Sequence, residues 1–197
     1  MLLYLYPGAC SLADHIALIE AGLPYELMPI DRDKRTQDGR DYLTVNPRGL
    51  VPALEVEKGT VLTENLAILA YIADRGGALL PDGEFGRWRA LEALSYMSTT
   101  IHGGLGPFFK HGSDTEKEAS RAALVKGFAF LDDQMGEQPF LLGHRMSIAD
   151  PYLFWALLAA SRFDIVIPDR LGAFFDRMKR EPSVIRALAE EGLPPLA

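Results

Sequence analysis

Tyr6-Pro7-Gly8-Ala9-Cys10-Ser11-Leu12-Ala13 joins a short apolar run, Leu2 to Tyr6, to a segment with apolar residues at Leu12, Ile16, Ile19 and Leu23. The run reads as a buried strand. The segment reads as a helix over Ser11 to Gly22, because its spacings put those residues on one face, with Gly22 as the C-terminal stop. The junction therefore sets Cys10 at or beside a helix N-terminus, where unpaired N–H groups and the helix dipole favour a thiolate. A free cysteine is just as commonly a small buried hydrophobe, and position alone leaves both readings open. Cys10 is the only cysteine in the chain. An intramolecular disulfide is impossible, so any redox chemistry must take its second sulfur from elsewhere.

Outward from this junction the alternation of element types continues. Tyr25 to Ile30 reads as a second strand, and the charged stretch Asp31 to Asp41 as a surface loop or short helix. Asn46-Pro47-Arg48-Gly49 is a turn signal. Ala53 to Val56 and Val61 to Leu62 form a hairpin turned at Glu57-Lys58-Gly59, and Thr63 caps a helix over Glu64 to Asp74. This is an α/β pattern with a mixed sheet. Residues 77–83 are rich in Gly and Pro and read as a linker. From Glu84 onward every strong period is helical: Arg87 to His111, loosened at Gly103-Gly104, Gly106 and Pro107, then Thr115 to Met135. Ile148 to Ser161 is apolar almost all round and marks the buried central helix of a bundle. Shorter helices follow near Leu171 to Lys179 and Ser183 to Glu190. The expected division is an α/β domain over 1–76 and an all-helical domain over 84–197.

The 197 residues, 48% of them apolar, suffice for a sizeable core in one or two domains. A net charge of −7 argues against a nucleic-acid or anionic-membrane binder, since both want basic patches. No window approaches the ~18 apolar residues of a spanning helix. The apolar N-terminus has no basic flank and stops at Pro7-Gly8, unlike a signal peptide. One cysteine fits a reducing compartment. The expectation is a cytoplasmic protein without nucleic-acid or membrane partners. His15, His102, His111 and His144 show no paired metal-ligand spacing, so no metal is expected.

Three further motifs bear on function. Val51-Pro52 opens an interior strand, where a residue without a donor belongs at an edge, a bulge or a cis bond; an ordinary trans proline at a strand start is the plainer alternative. Thr63-Glu64-Asn65 opens a helix whose free N–H groups suit a carboxylate while Glu64 suits an ammonium, or it is simple capping. Ser147-Ile148-Ala149-Asp150 reads as a capping box in which Ser147 accepts from the Asp150 N–H and Asp150 reaches back to the Ser147 N–H. Gly103-Gly104-Leu105-Gly106 follows a helix rather than a strand and fails as a phosphate loop. His102 precedes this break, where a cleft can open, with Phe108 and Phe109 beside it as lining or as core.

Together these stretches resemble the glutathione transferases, specifically the bacterial beta class, almost end to end. The resemblance is carried by Pro7-Gly8-Ala9-Cys10-Ser11-Leu12-Ala13, by Asn46-Pro47-Arg48-Gly49-Leu50-Val51-Pro52-Ala53-Leu54, by Leu62-Thr63-Glu64-Asn65-Leu66-Ala67-Ile68, and by Gly143 through Asp150. It implies a thioredoxin-like N-terminal domain, an all-α C-terminal bundle, and a homodimer using glutathione as co-substrate. It also implies a pairing of the Val51 backbone with the cysteinyl part of glutathione at a cis-Pro52. Glu64 and Asn65 would hold the γ-glutamyl end, and Lys34 or Arg35 would lie near the tripeptide. Cys10 would face the glutathione sulfur, with Ser11 as a thiolate donor and His102 nearby. Ala9, Leu105, Phe108 and Phe109 would line the pocket for a hydrophobic electrophile or a disulfide. The chain departs from the class pattern at Gly103, where a lysine often follows the histidine, and at Ser95, where an asparagine is common. Conjugation and thiol–disulfide exchange through a Cys10–glutathione disulfide follow from this resemblance. The alternatives are a non-catalytic binder of glutathione or apolar ligands, a scaffold for protein contacts, and a glutathione-dependent isomerase or ether-cleaving relative.

Overall fold

The apolar run at the start of the chain forms β1 (Leu2–Leu5), a central strand of a four-stranded sheet in the computed structural model, which describes residues 1–196. The sheet order is β2–β1–β3–β4, with β2 at Glu26–Pro29, β3 at Ala53–Glu57 and β4 at Thr60–Thr63. β1 pairs parallel with β2 (Leu3 opposite Leu27) and antiparallel with β3 (Leu3 opposite Leu54), and β3 pairs antiparallel with β4. The first helix, α1 (Ser11–Glu20), makes the crossover between the parallel strands, and α2 (Asn65–Gly76) follows the hairpin. This is the thioredoxin-like arrangement expected.

Strand alternation divides the core. Leu2, Tyr4 and Tyr6 face one side with Ile30, Tyr42, Val51 and Ala53. Leu3, Leu5 and Leu54 face the other, where α1 and α2 bring Leu12, Ile16, Ile68, Leu69 and Ile72, all fully buried or nearly so. Each such side chain contributes roughly 1.5–3 kcal/mol relative to exposure.

The described residues divide into two compact units, Met1–Leu79 together with the chain from Glu181 onward, and Leu80–Arg180. The expected second domain ran to residue 197, whereas α8 (Pro182–Glu190) packs on α1. The reason is visible in α1, whose residues Ser11 to Leu18 are all buried, polar Asp14 and His15 included. One stripe meets the sheet and α2, and α8 covers the rest.

The second unit holds α3 (Gly86–Tyr96), a π-helical segment (Met97–His102), α4 (Gly103–Phe109), α5 (Asp114–Met135), α6 (Ala149–Arg162) and α7 (Asp169–Met178). Every residue of α6 from Ala149 to Ala160 is buried, as its composition predicts. The glycines expected to loosen the long helix do something else. Gly103 and Gly104 lie inside helix, and a Cβ at Gly104 would meet Leu124 Cδ2 at 2.9 Å, so its bareness lets α5 approach. Gly127 repeats the device from α5, with Ile101 Cδ1 at 2.7 Å from an added Cβ. Two capping details also differ. Glu64, not Thr63, is the N-cap of α2. Asp150 does accept the Ser147 N–H at 2.7 Å, but the Ser147 hydroxyl accepts from Ala149 rather than from Asp150.

Candidate functional site

The loop between β1 and α1 is folded by its own backbone. Ala9 N–H donates to the Tyr6 carbonyl at 2.9 Å, and Gly8 adopts φ 74°, a conformation suited to glycine. The Gly8 N–H donates to Glu191 at 2.8 Å, just beyond α8. Glu191 and Glu190 also flank the His15 ring at 3.1 and 3.0 Å, so His15 is a fully buried tie between α1 and the C-terminal end of α8.

Cys10 occupies the N-cap of α1, as its sequence position predicts. Its thiol is 8% exposed and donates to the Val51 carbonyl at 3.3 Å. Burial outweighs the helix terminus here. It pushes the thiol up to about 12, aided by Asp14, against the opposite pull of the Cys10 and Ser11 N–H groups. The thiolate expected from the helix N-terminus is therefore not the form of the free protein. Ser11 also departs from expectation: its buried hydroxyl points to the Tyr6 carbonyl at 3.5 Å instead of serving the sulfur.

Val51 precedes a cis peptide bond to Pro52. The turn before it is clamped, since Asn46 Nδ2 and the Tyr42 hydroxyl both donate to the Leu50 carbonyl at 2.7 Å. Neither Tyr42 nor Asn46 was expected as a site-shaping residue; Asn46, in the Asn-Pro-Arg-Gly turn, carried the one available signal. Lys34 has φ 61°, and its Cε would lie 3.6 Å from a Cβ at Gly49, so its stem runs along this turn. Arg35 is exposed, and its backbone bonds to Asp31 and bridges Asp41. Of the two basic residues, Lys34 is the one that lies along the turn before Val51.

Glu64 takes φ 73° at the head of α2, and the first helical bond of α2 runs from Ile68 N–H back to the Glu64 carbonyl. The N–H groups of Asn65, Leu66 and Ala67 are thereby left for an outside acceptor. The Glu64 side chain pairs with Arg48, both about three-fifths exposed (62% and 63%). The Asn65 side-chain amide is turned inward, donating to the Cys10 carbonyl at 2.9 Å and to Asp14 at 2.7 Å, which leaves its backbone N–H as the group that faces outward.

The remaining expected residues belong to the second unit. His102 ends the π-helical segment, sharing a 2.8 Å hydrogen bond with the Tyr152 hydroxyl and standing edge-on to Trp155 at 4.5 Å. Burial lowers its pKa to about 4, so the imidazole is neutral at physiological pH. Leu105 and Phe108 are core, at 0% and 7% exposure, and do not line an open surface as expected. Phe109 is 43% exposed and stacks on Trp155, while Ala9, in the first unit, is half-buried. Among the described residues no group of three or more His, Cys, Asp or Glu is placed to hold a metal ion, and no helix is long and apolar enough to cross a membrane.

Chemically, the first unit gathers a thiol, a backbone carbonyl before a cis proline, and a helix end with free donors beside a carboxylate. Residues 9–75 match the family model for the glutathione S-transferase N-terminal domain, and residues 114–190 that for the C-terminal domain. Glutathione S-transferase GstA of Escherichia coli O157:H7 is 39% identical, covering 98% of this chain and 100% of its own. The bacterial beta class glutathione S-transferase of Sphingomonas chungbukensis has the same fold with a TM-score of 0.89 and 39% identity, over 98% of this chain and 100% of its own. A sphingomonad glutathione S-transferase complexed with glutathione gives a TM-score of 0.90 at 39% identity and the same coverage.

Proposed function

The chain belongs to the glutathione S-transferase family, as a transferase of the bacterial beta-class type, and from that membership we propose how its own residues handle glutathione. The γ-glutamyl carboxylate takes the free N–H groups at the head of α2, and the ammonium takes Glu64. Arg48 releases Glu64 at little cost, because an exposed ion pair is worth about 0–1 kcal/mol. The cysteinyl N–H takes the Val51 carbonyl, displacing the Cys10 thiol, which turns to the glutathione sulfur. Lys34 meets the glycyl carboxylate. Asn65 contributes its backbone N–H, its side chain being committed inward. The working form is a homodimer in a reducing compartment, the cytoplasm, where a lone cysteine stays available.

Two reactions follow. With an electrophile, the glutathione thiolate forms a C–S bond and the leaving group departs with the bonding pair. With a glutathionylated thiol, the Cys10 thiolate attacks the glutathione sulfur, the S–S bond breaks and the substrate thiolate leaves. A second glutathione thiolate then attacks that same sulfur, releasing oxidised glutathione and the Cys10 thiolate.

The observation that carries this reading is the 3.3 Å contact of the Cys10 sulfur with the Val51 carbonyl, which brings two of the motif segments to one point. Intact mass spectrometry after incubation with oxidised glutathione tests it. The expected result is a single glutathione adduct that disappears in Cys10→Ser. A wild-type protein that stays unmodified while binding glutathione overturns the role of Cys10, and binding without turnover on any electrophile or disulfide favours the non-catalytic reading.

A further inference from the structure

Asp14 lies in the first turn of α1, four residues after Cys10, and is fully buried. Its Oδ2 accepts from Asn65 Nδ2 at 2.7 Å, while its Oδ1 is buried with no hydrogen-bond partner. No cation is paired with the carboxyl among the described residues. Ionised in this setting, it would be an unpaired buried charge with an idle oxygen, the disfavoured state; as an acid it places its proton on Oδ1 and keeps Oδ2 for Asn65. Burial and the Glu191 carboxylate push its pKa well above the usual carboxylate range.

The Asn65 amide has two hydrogens, and both are spent between Asp14 and the Cys10 carbonyl. That carbonyl also accepts the Ala13 N–H at 3.1 Å. Asp14 thus decides which way Asn65 points, and Asn65 tethers the residue that bears the thiol.

We propose that Asp14 is a positioning residue for Cys10: a neutral acid that fixes the Asn65 amide and, through it, the Cys10 backbone, and that on ionising holds the thiol protonated by charge repulsion. This rests on Cys10 being the reactive sulfur. Among the described residues no Lys or Arg pairs with Asp14, so only the Cys10 and Ser11 N–H groups pull against the repulsion. On α1 stand Cys10 and His15, the latter engaged by Glu190 and Glu191 beyond it. From α2 come Asn65 and Glu64, the latter tied to Arg48, and from the end of α8 come Glu190 and Glu191. β1 turns only Leu3 and Leu5 toward α1.

The test is the rate of Cys10 alkylation by iodoacetamide between pH 6 and 10, read by intact mass, in wild type, Asp14→Asn and Asp14→Ala. In the wild type the rate rises with pH and then flattens as Asp14 ionises. Asp14→Asn, neutral throughout, keeps rising and exceeds the wild type by about tenfold above the flattening, the effect of one removed like charge. Asp14→Ala also keeps rising, but it forms the disulfide with oxidised glutathione about tenfold more slowly than Asp14→Asn, because Asn65 has lost its anchor. Should Asp14→Ala not fold, Asp14→Leu fills the space without an acceptor. Superimposable profiles for wild type and Asp14→Asn, or equal disulfide rates for the Asn and Ala variants, overturn the proposal. If no protein forms the disulfide, the glutathione reading of Cys10 fails, while the alkylation profiles still decide the charge of Asp14.

Discussion

Cys10 and Val51, forty-one residues apart in the chain, meet through a thiol that donates to a backbone carbonyl at 3.3 Å. Burial at this contact, aided by the Asp14 charge, keeps the sulfur as a thiol, pushed up to about 12 in the free protein. Iodoacetamide at pH 8 is therefore expected to modify Cys10 at least about a hundredfold more slowly than an unperturbed cysteine, since only the thiolate reacts. A rate equal to that of a cysteine peptide would show that the burial of the thiol does not hold in solution.

Glu64 and Arg48 form an exposed pair, and the two substitutions at it separate binding from stability. Arg48→Ala should leave the unfolding midpoint in urea within the equivalent of about 0.5 kcal/mol. Glu64→Gln should raise KM for glutathione by about tenfold or more, through loss of a charge-assisted bond to the ammonium. An unchanged KM in Glu64→Gln would remove Glu64 from the site.

Asp150 is buried and uses both carboxyl oxygens, Oδ1 for the Leu141 N–H at 2.8 Å and Oδ2 for the Ser147 N–H and hydroxyl at 2.7 and 2.9 Å. Asp150→Asn turns an NH2 toward one of these donors and should cost about 2–4 kcal/mol in chemical denaturation. Asp14, with one idle oxygen, should tolerate the same change far better. Equal losses at the two positions would contradict this difference in use.

The pH dependence of stability has two opposing parts. Burial raises Asp150 to about 6, from 3.8 unfolded, so the folded state holds its proton longer and stability falls as pH rises through this range. Asp14 adds in the same direction. His102, lowered to about 4 from 6.5, does the reverse: the unfolded chain takes up the proton first, and stability rises with pH between those values. His102→Phe should therefore steepen the fall in stability between pH 4.5 and 6 by about 1 kcal/mol per pH unit, measured by urea unfolding. A shallower fall than in the wild type would reverse the assignment.

Gly86 opens α3, and a Cβ there would lie 1.9 Å from the Pro81 carbonyl oxygen. Backbone cannot yield as a side chain does. Gly86→Ala should lower the thermal midpoint by several degrees, the effect of about 1–3 kcal/mol of overpacking, whereas alanine at half-buried Gly172, whose Cβ would meet nothing within 4 Å beyond its own helix, should not.

Much of this fold is local in origin and was legible. Leu2 to Leu5, the hairpin around Lys58-Gly59 and the apolar run of α6 carry their periods within a few residues. What escaped depends on partners far away in sequence. The inward turn of the Asn65 amide is set by Asp14, fifty-one residues earlier, so Thr63-Glu64-Asn65 read as a uniform ligand-facing motif. Gly103-Gly104 read as a break because glycine disfavours helix, while the neighbour that makes Gly104 useful, Leu124, lies in another element. The roles that the resemblance implies for Ser11 and Leu105 rest on place along the chain, which says nothing of the direction a side chain takes once its helix is packed.

The bond from the Gly8 N–H to Glu191 spans 183 residues. It ties the loop before α1 to a carboxylate that is made only after the whole helical unit. A ribosome-bound chain that has emerged only as far as the linker lacks α8, the acceptor for Gly8 and both carboxylates of His15. The thiol loop of this enzyme therefore reaches its working shape late, after the helical unit between the two segments has been made. A growing chain is in this way kept from presenting a finished Cys10 before its helical unit has been made.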